Sequence, residues 1–596
     1  MNAPVKIDAL PVWRLDDLYV GRNDPRIDQD MAAAKTATDA LVALKGKFVA
    51  SRRDPARLGA MIDHGIQLYE EATNRLWSVG AYAGLATAVA RDDAAWAKFE
   101  ADIRVRSSTI GADSLFFSLE LNELDENEIE SALRAHPSAQ RWRPWLRRVR
   151  MSRPHELSPD LERMVIDRAP AVGNWSRLFD ETLSRLVIKA GKDKLTLPEA
   201  LNRLSDPDPD QRKVAAKAIA GQLEQATPVL ALSLNTLAFE KQVEDRWRKY
   251  SYPAQSRHLA NEVDAEAVDA MEEAVVEAYP RLSHRYYALK AKTMGLRRLE
   301  YWDRNAPLEQ AKPASYSWDE ARDMVLTSFS ELSPKFAEHA QTFFTQPWID
   351  ARPRPGKQGG AFSHPVTADR HPYVMLNYMG ERRDVLTLAH ELGHAVHQTL
   401  AAPLGTLLAD TPLTLAETAS IFGEALVFDR LLEQASKADR KALLAGKIED
   451  ALNTVVRQIA FHRFETRFHA ARAEGELSAD QIGGLWLEVQ HESLGPAIRL
   501  GPGYEHYWAY VSHFVHAPFY VYAYAFGNLL VESLVAARSQ DPKGFTPKYE
   551  ALLAAGGTKT YVEALKPFGL DPKQKSFWEA GLNRITRLVD EFEALA

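Results

Sequence analysis

His390 and His394 stand four residues apart and bracket a carboxylate in the run His390-Glu391-Leu392-Gly393-His394. On a helix this spacing sets both imidazoles on one face, about one turn apart. Their nitrogens can then hold a single Zn²⁺ at about 2.0–2.1 Å. Glu391 follows the first histidine and can reach a water on the metal without itself ligating the ion, which is the position of a general base. The chemistry this set serves is hydrolysis by an activated water. A catalytic zinc needs a third protein donor and an open position. The chain has no cysteine, so thiol catalysis and disulfides are excluded and the donors must be His, Asp or Glu. His397 lies about 10 Å along the helix axis from His390 and cannot easily share the same ion; it reads as an outer neighbour of the site or a solvent-facing residue. The predicted next helix, Thr414 to Phe428, carries Glu417 and Glu424 two turns apart on one face. One of them can ligate while the other orients a ligand imidazole, and spacing does not choose between them.

These groups must be positioned by particular elements. Asp384 to Ala401 reads as one helix, with Val385, Leu388, Ala389, Leu392 and Val396 as its apolar stripe and Pro403 as its stop. Gly393 leaves room for close packing. The loop Pro403 to Pro412 allows an antiparallel return that brings Glu417 over the histidines. Upstream, Arg352 to Gly360 is a Pro/Gly loop and Tyr373 to Tyr378 reads as a strand. The edge of that small sheet is either a receptor for an extended peptide or part of a structural hairpin. Leu58 to Ala88 and Val263 to Leu296 have helical period, and Asp206-Pro207-Asp208-Pro209-Asp210 marks a helix start. A boundary is placed near residue 200, giving an N-terminal helical lobe over 1–200 and a catalytic domain over 201–596. The basic run Arg141 to Arg150 reads as a helix with a solvated basic face and a buried tryptophan pair, not as a nucleic-acid site.

Bulk properties agree with a large folded body. The 596 residues are 46% apolar, enough for more than one core, and 73 basic against 81 acidic residues give a net charge of −8. The acidic balance gives no reason to expect nucleic acid as a partner. Met1 to Tyr19 lacks the basic start and apolar run of a signal peptide, and no run of about 18 apolar residues is present to span a membrane. A cytoplasmic setting without membrane contact is expected.

The stretch Asp384-Val-Leu-Thr-Leu-Ala-His390-Glu-Leu-Gly-His394-Ala-Val-His397, followed by Thr411-Pro-Leu-Thr-Leu-Ala-Glu417-Thr-Ala-Ser420, resembles the M3 metallopeptidases of the oligoendopeptidase F branch. Trp13 to Tyr19 resembles that family's opening, Arg153 to Ser158 the arm between its lobes, Pro372 to Tyr378 its substrate-side strand, and Phe577-Trp578 with Gly581-Leu582 its closing helix. The resemblance implies Glu417 as the third ligand and one Zn²⁺ per chain. It also implies a mainly α fold: a two-lobed helical clamshell around a deep channel, with a small β-sheet near the metal-binding helix. The implied function is internal cleavage of short unstructured peptides. It further implies a histidine and tyrosines that stabilise the oxyanion, drawn from Tyr510 to Tyr524; His513, Tyr520 and Tyr522 are selected. Helical phasing groups His513, His516 and Tyr520, and Gly501 and Gly503 could form a mobile loop before them.

Three other functions use some of the same features. A zinc carboxypeptidase or dipeptidase of related helical fold would differ in what binds the peptide terminus. A non-catalytic peptide clamp should have lost Glu391 or a ligand, and none is lost. A structural zinc site is usually closed by four ligands, often Cys, which this chain lacks.

Overall fold

Asp54 accepts a hydrogen bond from the Arg57 amide at 3.1 Å, and Pro55 occupies the first helical position, where an N–H has no partner to lose. From there the apolar period seen over Leu58 to Ala88 runs as one helix, Pro55–Ala88. In this computed structural model, which describes residues 7–308 and 315–595, most elements are helices and the sheets have two or three short strands. The first six residues of the Met1 to Tyr19 start lie outside the described residues.

The chain falls into two compact units, each assembled from separated segments. The first comprises Met1–Arg153, Pro313–Glu433 and Asp541–Gly569; the second comprises Pro154–Lys312, Gln434–Gln540 and Leu570–Ala596. The first change of unit falls at Arg153-Pro154, inside the segment that resembles the family's arm. Residue 200, where the sequence reading sets a boundary, lies within the second unit.

In the first unit a three-stranded sheet stands beside the helix Arg382–Ala401. Its strands are β1 (Ile349–Asp350), β2 (Phe362–His364) and β3 (Tyr373–Met375), in the order β1-β3-β2. β3 pairs in parallel with β1, Ile349 against Val374, and antiparallel with β2, Ser363 against Val374. The pairing continues beyond β3 as the Leu376 and Tyr378 amides donate to the Asp350 and Ala351 carbonyls, each at 3.0 Å. The Tyr373–Tyr378 segment is therefore central. Its three strand residues are fully buried, and it offers no edge to a peptide, which corrects the edge reading. The opening segment packs here: Trp13 meets Tyr373 edge-on at 5.8 Å, and the Tyr373 hydroxyl donates to Asp17.

The basic run also belongs to this unit. Trp142 and Trp145 are buried, and Arg150 donates to the Leu121 and Leu124 carbonyls. Arg148 donates to the carbonyls of Leu407 and Asp410. Those arginines thus hold backbone groups, including the turns that follow the helix Arg382–Ala401.

The second unit is built on the helix Pro209–Trp247, which starts where the alternating Asp/Pro run predicts. The Val263 to Leu296 region forms helices Ala265–Ala278 and Arg285–Thr293 with a π-turn at Pro280–His284 between them. The closing helix Lys575–Leu595 packs on helix Tyr522–Gln540 through Trp578 and Phe526, whose rings are 4.9 Å apart. Among the described residues, no helix is long and apolar enough to cross a membrane.

Candidate metal centre

The helix that carries both histidines runs Arg382–Ala401. Asp384 secures its first turn by accepting from the Glu381 amide at 3.0 Å and the Met379 amide at 2.7 Å. The chain then turns through Ala402–Leu404 and returns as two helices, Leu413–Ala416 and Thr418–Gln434, with Glu417 at the break between them. Two glycines set how closely the returning helix approaches. A Cβ on Gly393 would lie 2.5 Å from the Ala419 carbonyl oxygen and 2.7 Å from the Ser420 Cα. A Cβ on Gly423 would meet the Phe329 ring at 2.9 Å and the Ala389 carbonyl at 3.2 Å. Backbone contact at these points delivers Glu417 to the histidines. Gly393→Ala is accordingly expected to force the helices apart, lowering stability by about 1–3 kcal/mol and weakening metal binding together with it. Thermal unfolding and bound-metal analysis check this; unchanged values for both would disprove the close-approach account.

Glu417 Oε2 lies 3.5 Å from His390 Nε2 and 3.5 Å from His394 Nε2. Donors about 2.0–2.1 Å from one tetrahedral cation are themselves about 3.4 Å apart, so this set fits Zn²⁺. The three donor atoms lie within 4.8 Å of one another. Two further contacts orient them. Glu424 Oε2 is 3.6 Å from His390 Nδ1, the arrangement of a carboxylate that fixes a ligand's tautomer. The Ser420 hydroxyl donates to Glu417 Oε2 at 2.8 Å; it lies one helical turn beyond Glu417, a signal the sequence reading did not use.

Glu391 is 7% exposed. Its carboxylate accepts from the Ser363 amide of β2, and burial raises its pKa against the lowering effect of His390 and His394. Gln398, two turns along the same helix, accepts from the Ser363 hydroxyl at 2.8 Å and donates to the Ser363 carbonyl at 3.4 Å. Neither Ser363 nor Gln398 was singled out from sequence, because their link to Glu391 depends on where the sheet edge falls. Burial pushes Glu417 up, but His394 and His390 outweigh it and hold its carboxyl down at about 2. His397 is buried, not solvent-facing. Its ring hydrogen-bonds the Ala416 carbonyl, and burial lowers its pKa to about 4; a neutral imidazole there braces the residue before Glu417.

The other selected residues lie in the second unit. Tyr510 to Tyr524 is not one helix: a 3₁₀ stretch, Tyr504–Tyr510, is followed by one turn, His513–His516, and then by helix Tyr522–Gln540. Between the last two, Ala517 leaves the helical region at φ −147°, ψ 65° and Phe519 is left-handed at φ +59°, so helical phasing does not apply. His513 and Tyr520 stack at 6.4 Å, and Tyr524, which the sequence reading passed over, places its hydroxyl 3.1 Å from His513 Nε2. Arg257 sits 5.6 Å over the Tyr520 ring. His516 points elsewhere, 2.8 Å from Asp180. Tyr522 is fully buried, its hydroxyl accepting from Asn261 at 2.9 Å. Gly503, at φ +96°, lies where a Cβ would come within 2.6 Å of the Ala220 Cβ, a close packing position.

Two helix histidines, a facing glutamate and an adjacent buried acid define a metallohydrolase centre on a mainly helical body. Residues 203–584 match Peptidase family M3 and residues 120–187 match Oligopeptidase F. The group B oligopeptidase PepB of Streptococcus agalactiae is 26% identical over 90% of this chain and 91% of its own. Oligopeptidase PepF of Bacillus subtilis is 24% identical over 99% and 88%. In fold, the chain is similar to a solved structure from Chlamydophila abortus, with a TM-score of 0.86 and 22% identity over all of both chains. It is also similar to oligoendopeptidase-F from Enterococcus faecium, with a TM-score of 0.69 and 19% identity over 96% and 99%. The chain belongs to peptidase family M3. It is a metal-dependent endopeptidase of the oligopeptidase F group.

Proposed function

We propose that this enzyme is a cytoplasmic zinc oligoendopeptidase that cuts short unstructured peptides, with His390, His394 and Glu417 as ligands and Glu391 as general base. The observation that carries the reading is the single Glu417 oxygen 3.5 Å from both imidazole Nε2 atoms, with Glu391 buried on the same helix. When bound, the cation polarises the scissile carbonyl and acidifies water. Glu391 takes a proton from the attacking water and passes it to the leaving amine; burial raises its pKa toward the range suited to that exchange. The resemblance supports His513 and Tyr520 as donors to the developing oxyanion. The full burial of Tyr522 favours a positioning part for it, holding the segment through Asn261.

The test uses one long unstructured peptide and one native globular protein. Internal fragments of the peptide, with the folded protein left intact, are expected by mass spectrometry. Single residues released from one end would instead favour a carboxypeptidase. On the same peptide Tyr520→Phe should lower kcat by about 10²-fold with metal content unchanged. Tyr522→Phe should mainly lower stability, because it strips Asn261 of a buried partner at a cost of about 1–3 kcal/mol. The reverse pattern would return the donor role to Tyr522.

A further inference from the structure

The helix Arg457–Glu474 of the second unit brings three titratable side chains, His462, Glu465 and His469, against one residue. At i, i+3 and i+7 they share one face of the helix. The residue they meet is Phe519, left-handed between the His513–His516 turn and the helix Tyr522–Gln540. Its ring lies 5.9 Å from the His462 ring and 4.8 Å from the His469 ring, and its amide donates to Glu465 Oε1 at 2.7 Å. Glu465 is 1% exposed, and Phe519 is equally buried. Among the described residues the other carboxyl oxygen has no hydrogen-bond partner, so the Phe519 amide is the one hydrogen bond this carboxyl makes.

Taking a carboxyl out of water to meet a single amide contributes little to stability. The gain is conformational. A left-handed aromatic residue is a backbone outlier and persists only where its surroundings fix it. Here two helices do so. Glu465 holds the Phe519 amide, while Arg257, on helix Gln255–Ala260, donates to the Pro518 carbonyl at 3.3 Å and sets its guanidinium over the Tyr520 ring. The Tyr520 amide closes the turn on the Ala517 carbonyl at 3.0 Å. Phe519 immediately precedes Tyr520, so its backbone angles set the direction in which the phenol leaves the turn. Burial pushes the Glu465 carboxyl up to about 8, against the lowering effects of the Phe519 amide and of the Arg257 and Lys241 charges. At neutral pH it is therefore mainly the uncharged acid, whose carbonyl oxygen accepts from the amide. Burial also holds His462 down at about 4 and His469 at about 3, so both imidazoles beside Phe519 are neutral.

We infer that Glu465 is a positioning residue of the peptidase reaction: by holding Phe519 left-handed it sets the place of the Tyr520 hydroxyl. The inference rests on the reading of Tyr520 as a donor to the oxyanion. Such a donor has to lie about 2.7–3.1 Å from where the oxyanion forms, and a shift of about 1 Å can cost about 10²-fold. Glu465 acts through Tyr520 alone, so its removal cannot cost more than removal of the Tyr520 hydroxyl itself.

The experiment compares the metal-loaded full-length enzyme with Glu465→Gln, Glu465→Met, Tyr520→Phe and the Glu465→Met, Tyr520→Phe double variant on one quenched peptide. For each, kcat and KM are counted per folded, metal-loaded enzyme, so loss of stability alone does not register. Glu465→Met keeps the volume and removes the acceptor; kcat should fall by about 10–100-fold with KM and metal content unchanged. Glu465→Ala, which leaves space where methionine could crowd, carries the same comparison if Glu465→Met does not fold. Glu465→Gln is close in shape to the neutral acid and keeps an acceptor carbonyl, so it should stay near the wild type. The double variant should be no slower than Tyr520→Phe, because the hydroxyl that Glu465 places is already gone. A normal kcat without the acceptor, a Glu465→Gln enzyme as slow as Tyr520→Phe, or losses that multiply in the double variant overturns the positioning role and leaves the Tyr520 reading intact. A normal kcat in Tyr520→Phe overturns the donor reading, and this inference with it.

Discussion

Glu391→Gln is expected to keep fold and metal while lowering kcat by about 10²–10⁴-fold, the usual share of a general base. Glutamine is nearly the same shape, and its side-chain carbonyl can still accept from the Ser363 amide that the carboxylate engages. The β2–helix contact therefore survives, helped by Gln398 on the same serine. The amide cannot take a proton at neutral pH, and this residue handles two transfers, from the attacking water and to the leaving amine. The lower end of the range would mean that solvent substitutes for it. Metal content by elemental analysis and kcat on one quenched peptide decide the matter. A fully metal-loaded Glu391→Gln enzyme with near-normal kcat would remove Glu391 from the reaction.

The metal-binding helix was legible because its cues are local. The apolar stripe, the i, i+4 histidines and Pro403 predicted 384–401, and the helix observed is Arg382–Ala401. Spacing made Glu417 and Glu424 legible as a pair but not their division of labour, which only the family resemblance assigned. It arises from the break at Glu417, which lies at φ −80°, ψ −1° between two helices, and from the glycine contacts that set the crossing. Sheet order also escaped the sequence: Tyr373 to Tyr378 reads as a strand, but its central place depends on β1, only two residues long. The His513 to Tyr524 region failed for a different reason. Periodicity assumes one continuous helix, and a left-handed Phe519 followed by a new helix start resets the register. Tyr524 then reaches His513 and Tyr522 turns into the core.

Removing a ligand is expected to abolish both metal retention and activity. The two glutamates at His390 should behave unequally. Glu417→Ala deletes the one oxygen that faces both imidazoles, and the Ser420 hydroxyl loses its acceptor. Two histidines alone leave the cation with too few protein donors for a stable catalytic site. Glu424→Gln, 3.6 Å from the far nitrogen of His390, should instead weaken metal affinity by about 10–100-fold, the range for partners that orient a ligand. After chelation, added Zn²⁺ should restore the wild type fully, restore Glu424→Gln only at higher metal concentration, and fail to restore Glu417→Ala or His390→Ala. Acid should act in the same direction. In the metal-free site burial pushes the His390 imidazolium down, but the Glu424 hydrogen bond and the Glu417 and Glu391 charges outweigh it, so the proton is held above the usual imidazole range. Proton and cation compete for the same nitrogens, and metal binding must therefore weaken as pH falls through that range. Glu424→Gln removes part of the attraction for the proton as well as the orienting contact. Its metal loss should consequently begin at a lower pH relative to its own neutral-pH affinity than in the wild type. A Glu417→Ala protein that holds stoichiometric zinc through dialysis would show that another side chain supplies the third donor.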